Sequence, residues 1–153
     1  MNKKPLTKLS ILKLLKKIKR FNLGSKKILL DKSMNRFLNQ DIKSKINLPP
    51  FNNSAVDGYA IHSDNLNDTK KLRCVYRVVA GDKQEIILKK NEVARIFTGA
   101  RMPKNSNTVV MQENVNLNKD FILVNKLPKE GENCRLAGED IPKNKIILNS
   151  GSK

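Results

Sequence analysis

Leu48-Pro49-Pro50-Phe51-Asn52-Asn53-Ser54-Ala55-Val56-Asp57-Gly58-Tyr59-Ala60-Ile61 is the stretch from which the rest of the chain is read. Pro49 and Pro50 fix φ and remove two backbone donors, so the chain enters extended and excludes a helix here. Asn52, Asn53 and Ser54 can fold short polar side chains back onto the backbone. Asp57-Gly58 is a turn dipeptide, and Tyr59-Ala60-Ile61 reads as a strand starting directly after it. A stiff polar loop therefore feeds a sheet. Loops held in this way by a scaffold are where binding and catalytic groups concentrate.

Downstream of that loop the pattern is β. Cys74, Tyr76 and Val78 alternate with Val75, Arg77 and Val79, as in a strand covered in part on both faces, and Ala80-Gly81-Asp82 reads as a turn. Glu85 to Leu88, Glu92 to Phe97, Thr108 to Gln112 and Phe121 to Val124 are further short strands, with Asn65, Asn67, Asn105, Asn107 and the run Asn114 to Asn118 marking loops. Spacing of this kind predicts a compact β sandwich or barrel. Gly131 to Gly138 is glycine-rich, and Lys145 to Leu148 is a last apolar strand before a turn at Ser150-Gly151.

Upstream the period is helical. Leu9, Leu12, Leu15 and Ile18, with Ile11 and Leu14 beside them, predict an amphipathic helix from Leu6 to Phe21. Thr7 and Ser10 are N-cap candidates, and Lys16, Lys17, Lys19 and Arg20 suit its C-terminus. A membrane-surface helix or a transit segment would also be basic and amphipathic. The segment is Lys-rich rather than Arg-rich and has two hydroxyl residues, which favours a packed helix. Gly24 marks a stop, and a second helix is expected over roughly Leu30 to Leu38.

The 153 residues suffice for one ordinary domain or two small ones. No run approaches the roughly 20 apolar residues of a membrane span. Two cysteines, Cys74 and Cys134, lack disulfide-framework density and metal-site spacing and read as reduced, small hydrophobes of a cytoplasmic protein. His62 is the sole histidine, one residue past the first strand, and reads as a strand-end side chain. The formal charge is +17, with ten basic residues and no acid among the first thirty. Nineteen asparagines accompany the lysines, so a compositional bias accounts for much of that charge. The remainder can raise the local concentration of small anions.

Three blocks, in order, resemble one family. Asn52-Asn-Ser-Ala-Val-Asp-Gly-Tyr-Ala60 resembles the Asp-Asn-Ser-Ala-Met-Asp-Gly-Tyr-Ala signature of the molybdopterin molybdenumtransferases, the family that includes the E domain of gephyrin. Arg95-Ile-Phe-Thr-Gly-Ala-Arg-Met-Pro103, followed by Val109-Val-Met-Gln-Glu113, is similar to a second block of that family. Gly131-Glu-Asn-Cys-Arg-Leu-Ala-Gly-Glu-Asp-Ile141 is similar to a third. One block is weak, whereas three in sequence across about ninety residues support one another. The departures are Asn52 for the usual Asp, Val56 for Met, Arg101 for a Pro or small residue, and Cys134 for Ile.

The resemblance implies an α+β fold: helices of an elongated first domain over 1–45, an inserted small β sandwich or barrel over 46–128, and an incomplete return segment over 129–153. It implies an enzyme that inserts molybdate into adenylylated molybdopterin with Mg²⁺ present, releasing AMP. Members are homodimers that combine the pterin-binding α/β domain of one subunit with the inserted domain of the other. The upstream molybdopterin adenylyltransferase is a further partner to expect. A pterin-binding domain is absent from these 153 residues, so the chain is expected to be an N-terminal portion that is inactive alone.

Asp57, Thr98 and Asp140 are the catalytic candidates, and Asn53, Ser54, Gly99 and Arg135 the substrate-binding ones, with Asn53 and Ser54, like Glu113, also suited to supporting the loop. Asp57 is the metal candidate, since a carboxylate on a stiff loop can hold a hard cation, although Asp-Gly turns are common for structural reasons alone. Thr98-Gly99 at a strand end could offer a hydroxyl and close backbone N–H groups to an oxyanion. Arg135 has the fork for phosphate or carboxylate, or for a salt bridge. The rival reading is a non-enzymatic basic module, binding nucleic acid nonspecifically or acting as a dimerising scaffold. Aromatic residues do not interleave with Lys or Arg as a base-stacking platform requires, so nucleic acid is disfavoured.

Overall fold

The computed structural model describes residues 7–17 and 24–153, in two compact units. The first unit comprises the residues up to Gln40 together with Ser150–Lys153, and the second is Asp41–Asn149.

In the first unit, helix α1 runs over Lys8–Lys17. Thr7 caps it: Thr7 Oγ1 accepts the Ser10 N–H at 3.3 Å, satisfying one of the four orphan donors of the first turn. Lys16 and Lys17 occupy the last turn, where the helix dipole favours cations. No residue of α1 is buried. Ile18, Lys19, Arg20 and Phe21 lie outside the described residues. The second helix expected over Leu30 to Leu38 is a single 3₁₀ turn at Leu30–Lys32. The Ser33 hydroxyl donates to the Leu30 carbonyl at 2.6 Å, and Asn35 turns to φ 62°, which a continuing helix excludes. Leu38 then pairs with the C-terminal residues, its N–H donating to Ser152 and its carbonyl accepting from Gly151.

The second unit is built on a curled six-stranded mixed sheet, a half-barrel rather than a closed one, with order β6-β3-β5-β4-β8-β7. Its strands are β3 (Gly58–Ile61), β4 (Lys71–Val78), β5 (Glu92–Ile96), β6 (Thr108–Met111), β7 (Val115–Asn118) and β8 (Phe121–Val124). Two short ribbons stand beside it, β1 (Ile42–Lys43) with β10 (Ile146–Leu148) and β2 (Asn53–Ser54) with β9 (Cys134–Arg135). All sheet pairs are antiparallel except β4 with β5. A parallel pair needs a crossover, and residues 79–91 supply it, burying Ile86 and Leu88 on one face.

Side-chain alternation gives each face of the sheet its own core. Ala60, Ala94, Ile96 and Val109 pack with Ile86, Leu88 and Met102 on one face. Tyr59, Ile61, Val93 and Val110 pack with Leu72, Ile122 and Val124 on the other. Burial on both faces is why the central strands read as continuous apolar runs. The strand expected at Glu85 to Leu88 is instead part of that cover, held by one bridge between Ile87 and Lys104. The run Asn114 to Asn118, expected as a loop, is edge strand β7, in which Val115 and Leu117 pair with Val124 and Ile122. Asn65–Asp68 is a one-turn helix, α2, where a loop was expected. Cys74 and Cys134 are free and half-buried, one against each core, and burial pushes both thiols up.

Candidate active site

The Pro-stiffened loop enters β3 through a sequence of internal hydrogen bonds. The Asn52 carbonyl accepts from Met102 N–H at 2.9 Å, and its side-chain Oδ1 accepts from Ala137 N–H at 2.8 Å. An Asn at this position therefore ties three loops together with an acceptor that an Asp would supply equally. Asn53 is buried, lying opposite Arg135 in the β2–β9 ribbon and bridging Arg101 on its other side. Ser54 is buried too: its hydroxyl donates to the Val56 carbonyl, its N–H donates to Ala100, and its carbonyl accepts from Gly99. The Ser54 hydroxyl is thus engaged within the loop, and the Asn53 backbone is bridged on both sides.

Asp57 emerges at the end of that scaffold. Its Oδ1 accepts the Thr98 N–H at 2.9 Å and the Thr98 hydroxyl at 2.7 Å. The backbone and side-chain hydrogen bonds from Thr98, and then the Arg95 charge, hold its carboxyl below the usual aspartate range. Both of these bonds fall on Oδ1, and among the described residues none falls on Oδ2. Thr98 directly follows β5, and β5 pairs with β3, so sheet register alone brings Asp57 and Thr98 together across 41 positions of sequence.

Sequence reasoning expected Thr98 and Gly99 to offer N–H groups to an oxyanion. In the structure Thr98 N–H goes to Asp57 and Gly99 N–H to the Ser54 carbonyl at 2.8 Å, so neither is left over. The need for glycine at 99 is its φ of 79°.

Arg135 and Asp140 form a second cluster. Arg135 Nη2 lies 2.7 Å from both Asp140 oxygens, and Nε donates to Glu139 at 2.6 Å. Glu139 also accepts the Leu136 N–H at 2.7 Å. That backbone bond, then the bond from Arg135, lowers the Glu139 carboxyl, while Asp140 and Glu139 raise the Arg135 guanidinium. The fork that could have met phosphate is thus engaged locally. The Asp140 N–H donates to the Leu48 carbonyl, which ties this cluster back to the entry of the loop. At the end of β3, His62 Nδ1 accepts from the Asp64 N–H.

Two residues around Asp57 were not singled out from sequence. Arg95 donates to the Gly58 carbonyl at 3.2 Å and to the side chain of Gln112, and Gln112 N–H donates to the Asp57 carbonyl at 3.2 Å. Both belong to quoted motif blocks. Their roles depend on strand register, which a motif does not carry.

The arrangement is a carboxylate on a rigid loop at the end of a mixed sheet, oriented by a threonine. Among the described residues no group of three His, Cys, Asp or Glu is placed to hold a metal ion. Mg²⁺ is commonly held by one or two carboxylates, with substrate phosphates and water completing its shell. Asp57, whose Oδ2 accepts no hydrogen bond among the described residues, fits that role as a single ligand.

Comparison with known proteins gives this geometry its family. The description "MoeA N-terminal region (domain I and II)" matches residues 7–153. The chain belongs to the MoeA family, in its N-terminal region. It is 38% identical over 125 residues to the molybdopterin molybdenumtransferase of Haemophilus influenzae, covering 81% of this chain and 31% of that protein. The Staphylococcus epidermidis molybdopterin molybdenumtransferase is 34% identical over 129 residues, with 81% and 31% covered. A crystal structure of the molybdopterin biosynthesis MoeA protein from Pyrococcus horikoshii superposes with a TM-score of 0.72 at 32% identity, covering 82% of this chain and 34% of that one. The chain thus spans about a third of the length of the relatives it matches.

Proposed function

We propose that this chain supplies the Asp57–Thr98 face of a molybdenumtransferase site. The reaction takes molybdate and adenylylated molybdopterin to the molybdenum cofactor, with release of AMP. The observation that carries this is the double hydrogen bond from Thr98 to one oxygen of Asp57, whose carboxyl is held below the usual aspartate range. Asp57 would hold Mg²⁺, and the ion would supply charge neutralisation to the substrate's phosphates. Thr98 fixes the carboxylate's direction and ionisation. Asn53, Ser54 and Gly99 hold the loop from behind, and Arg135 with Asp140 braces its entry.

The relatives' names supply the activity, and the shared motifs supply the residues. In this reading residues 1–45 and 129–153 belong to a first domain and 46–128 to an inserted β domain. The pterin-binding surface comes from a domain outside these residues. The working form is a cytoplasmic homodimer in which that surface meets Asp57 across the subunit boundary. This chain alone is inactive.

The test is AMP release from adenylylated molybdopterin and molybdate, measured with this chain alone and mixed with the remaining domains of a relative. No release is expected alone. Release is expected with the complement, and Asp57→Ala should lower it by about 100-fold, the scale of losing one preorganised electrostatic contact. Equal rates with Asp57→Ala and the parent chain would remove the reading.

A further inference from the structure

Arg95 touches each element that surrounds Asp57. It stands on β5 directly opposite Tyr59 of β3, so its side chain rises on the same face as that ring. Its guanidinium carbon lies 5.1 Å from the Tyr59 ring centre and 4.8 Å from that of Phe97. Nη1 donates to the Gly58 carbonyl at 3.2 Å, and Nη2 donates to the side-chain oxygen of Gln112. Gln112 follows β6 on the other side of β3, and its own N–H donates to the Asp57 carbonyl at 3.2 Å. Its side-chain Nε2 donates to Glu113 at 3.1 Å, which fixes which end of the amide faces Arg95.

The Asp57–Gly58 segment is consequently gripped at three points. Gln112 holds the Asp57 carbonyl, Arg95 holds the Gly58 carbonyl, and Thr98 holds the carboxylate. Arg95 is the member that joins the other two sides, because it bonds Gln112 and shares β5 and its exit with Thr98. We propose that Arg95 is a positioning residue of the Asp57–Thr98 site: its planar fork clamps the Gly58 carbonyl and the Gln112 amide together and so fixes the direction in which the Asp57 carboxylate is presented. The proposal rests on the reading that Asp57 and Thr98 form the reactive face. A lysine carries the same charge but lacks the planar fork that meets two acceptors while stacking on two rings.

Arg77 provides the control. It lies in register with Arg95 on β4 and stacks on the same Phe97 ring at 4.9 Å, yet it makes no bond to the clamp.

The experiment is nuclear magnetic resonance on the 153-residue chain, reading the scalar coupling through the hydrogen bond between the Thr98 amide nitrogen and the Asp57 carboxylate carbon. The coupling is expected in the parent chain and in Arg77→Gln. It is expected to be lost in Arg95→Gln and in Arg95→Lys, with sheet amide protection retained. Retention in either Arg95 variant overturns the proposal, as does loss in Arg77→Gln, which would mark general loosening of that face. Should the Arg95 variants not fold, Gln112→Ala, at an exposed position, releases one arm of the clamp. A weakened coupling there supports the proposal, and an unchanged one overturns it. None of these signals involves molybdate or AMP, so failure of the clamp and failure of the enzymatic reading are separately visible.

Discussion

A Cβ at position 58 would stand 2.1 Å from the Val110 carbonyl oxygen and 2.9 Å from its carbon. Those are backbone atoms of a paired strand, with no side chain to move aside. Gly58→Ala is therefore expected to cost about 3 kcal/mol or more, at the upper end of overpacking effects, as a lowered denaturation midpoint would show. The same short residue lets β3 begin immediately after Asp57. Glu139 carries a different residue-scale consequence. Its folded pKa is depressed, by the Leu136 N–H and then by Arg135, so between the folded and unfolded values the unfolded chain binds more protons. Its contribution is present above the ordinary glutamate value of about 4.3 and is lost as pH falls through the folded value. Asp57 has the same sign. Thermal midpoints followed down into acid should fall less steeply in Glu139→Gln than in the parent, and parallel curves would count against this account. Asp57 and Thr98 were legible in the sequence as motif members. Arg95 was equally visible as a letter, but its contacts with Gly58 and Gln112 exist only once β3 lies between β5 and β6.

Among the elements, β7 and the segment over Leu30 to Leu38 show where local pattern was overruled. Asn-Val-Asn-Leu-Asn reads as a loop because Asn favours turns, yet Val115 and Leu117 sit opposite Val124 and Ile122 and extend the sheet by one strand. In the other segment the apolar spacing suggested a helix, but Leu30, Met34 and Phe37 are largely exposed, and a helix that short is marginal without packing. The edge strand also makes a testable contrast. Leu72 on β4 is 0% exposed and Leu117 on β7 is 65% exposed. Leu72→Ala should cost about 3 kcal/mol from lost contacts and a residual cavity, whereas Leu117→Ala should stay within about 0.5 kcal/mol. Urea denaturation of the two variants checks the ordering, and similar losses would mean that β7 is buried in solution by something else.

For the molecule as a whole, α1 carries an apolar stripe that the homodimer reading can use. Leu9 is 63% and Leu15 57% exposed, with Ile11, Leu12 and Leu14 uncovered beside them. Under the homodimer reading, sedimentation should show a species heavier than the 17.4 kDa monomer, and Leu12→Glu with Leu15→Glu should shift it toward the monomer. A strict monomer at high concentration would remove that support. Charge belongs to this scale as well. An excess of +17 spread over surface lysines predicts weak oligonucleotide binding that collapses with added salt, readable as a steep loss of affinity in a salt titration. Among the described residues no helix is long and apolar enough to cross a membrane.

The chemistry of the loop and the class of the fold can be read from the order of residues alone. Two prolines, three short polar residues and Asp-Gly leave the backbone few alternatives, and strand-length apolar runs state a sheet buried on both faces. Those are local constraints, acting over a handful of bonds. Which groups meet comes from the packing in three dimensions: Thr98 spends its N–H and hydroxyl on Asp57, Gly99 N–H goes to Ser54, Arg135 is paired with Glu139 and Asp140, and Arg95 reaches both Gly58 and Gln112. Each depends on strand order and register. A one-residue slip of β5 would turn Arg95 to the opposite face, a slip of β3 would carry Gly58 away from it, and no local pattern in the chain specifies that register.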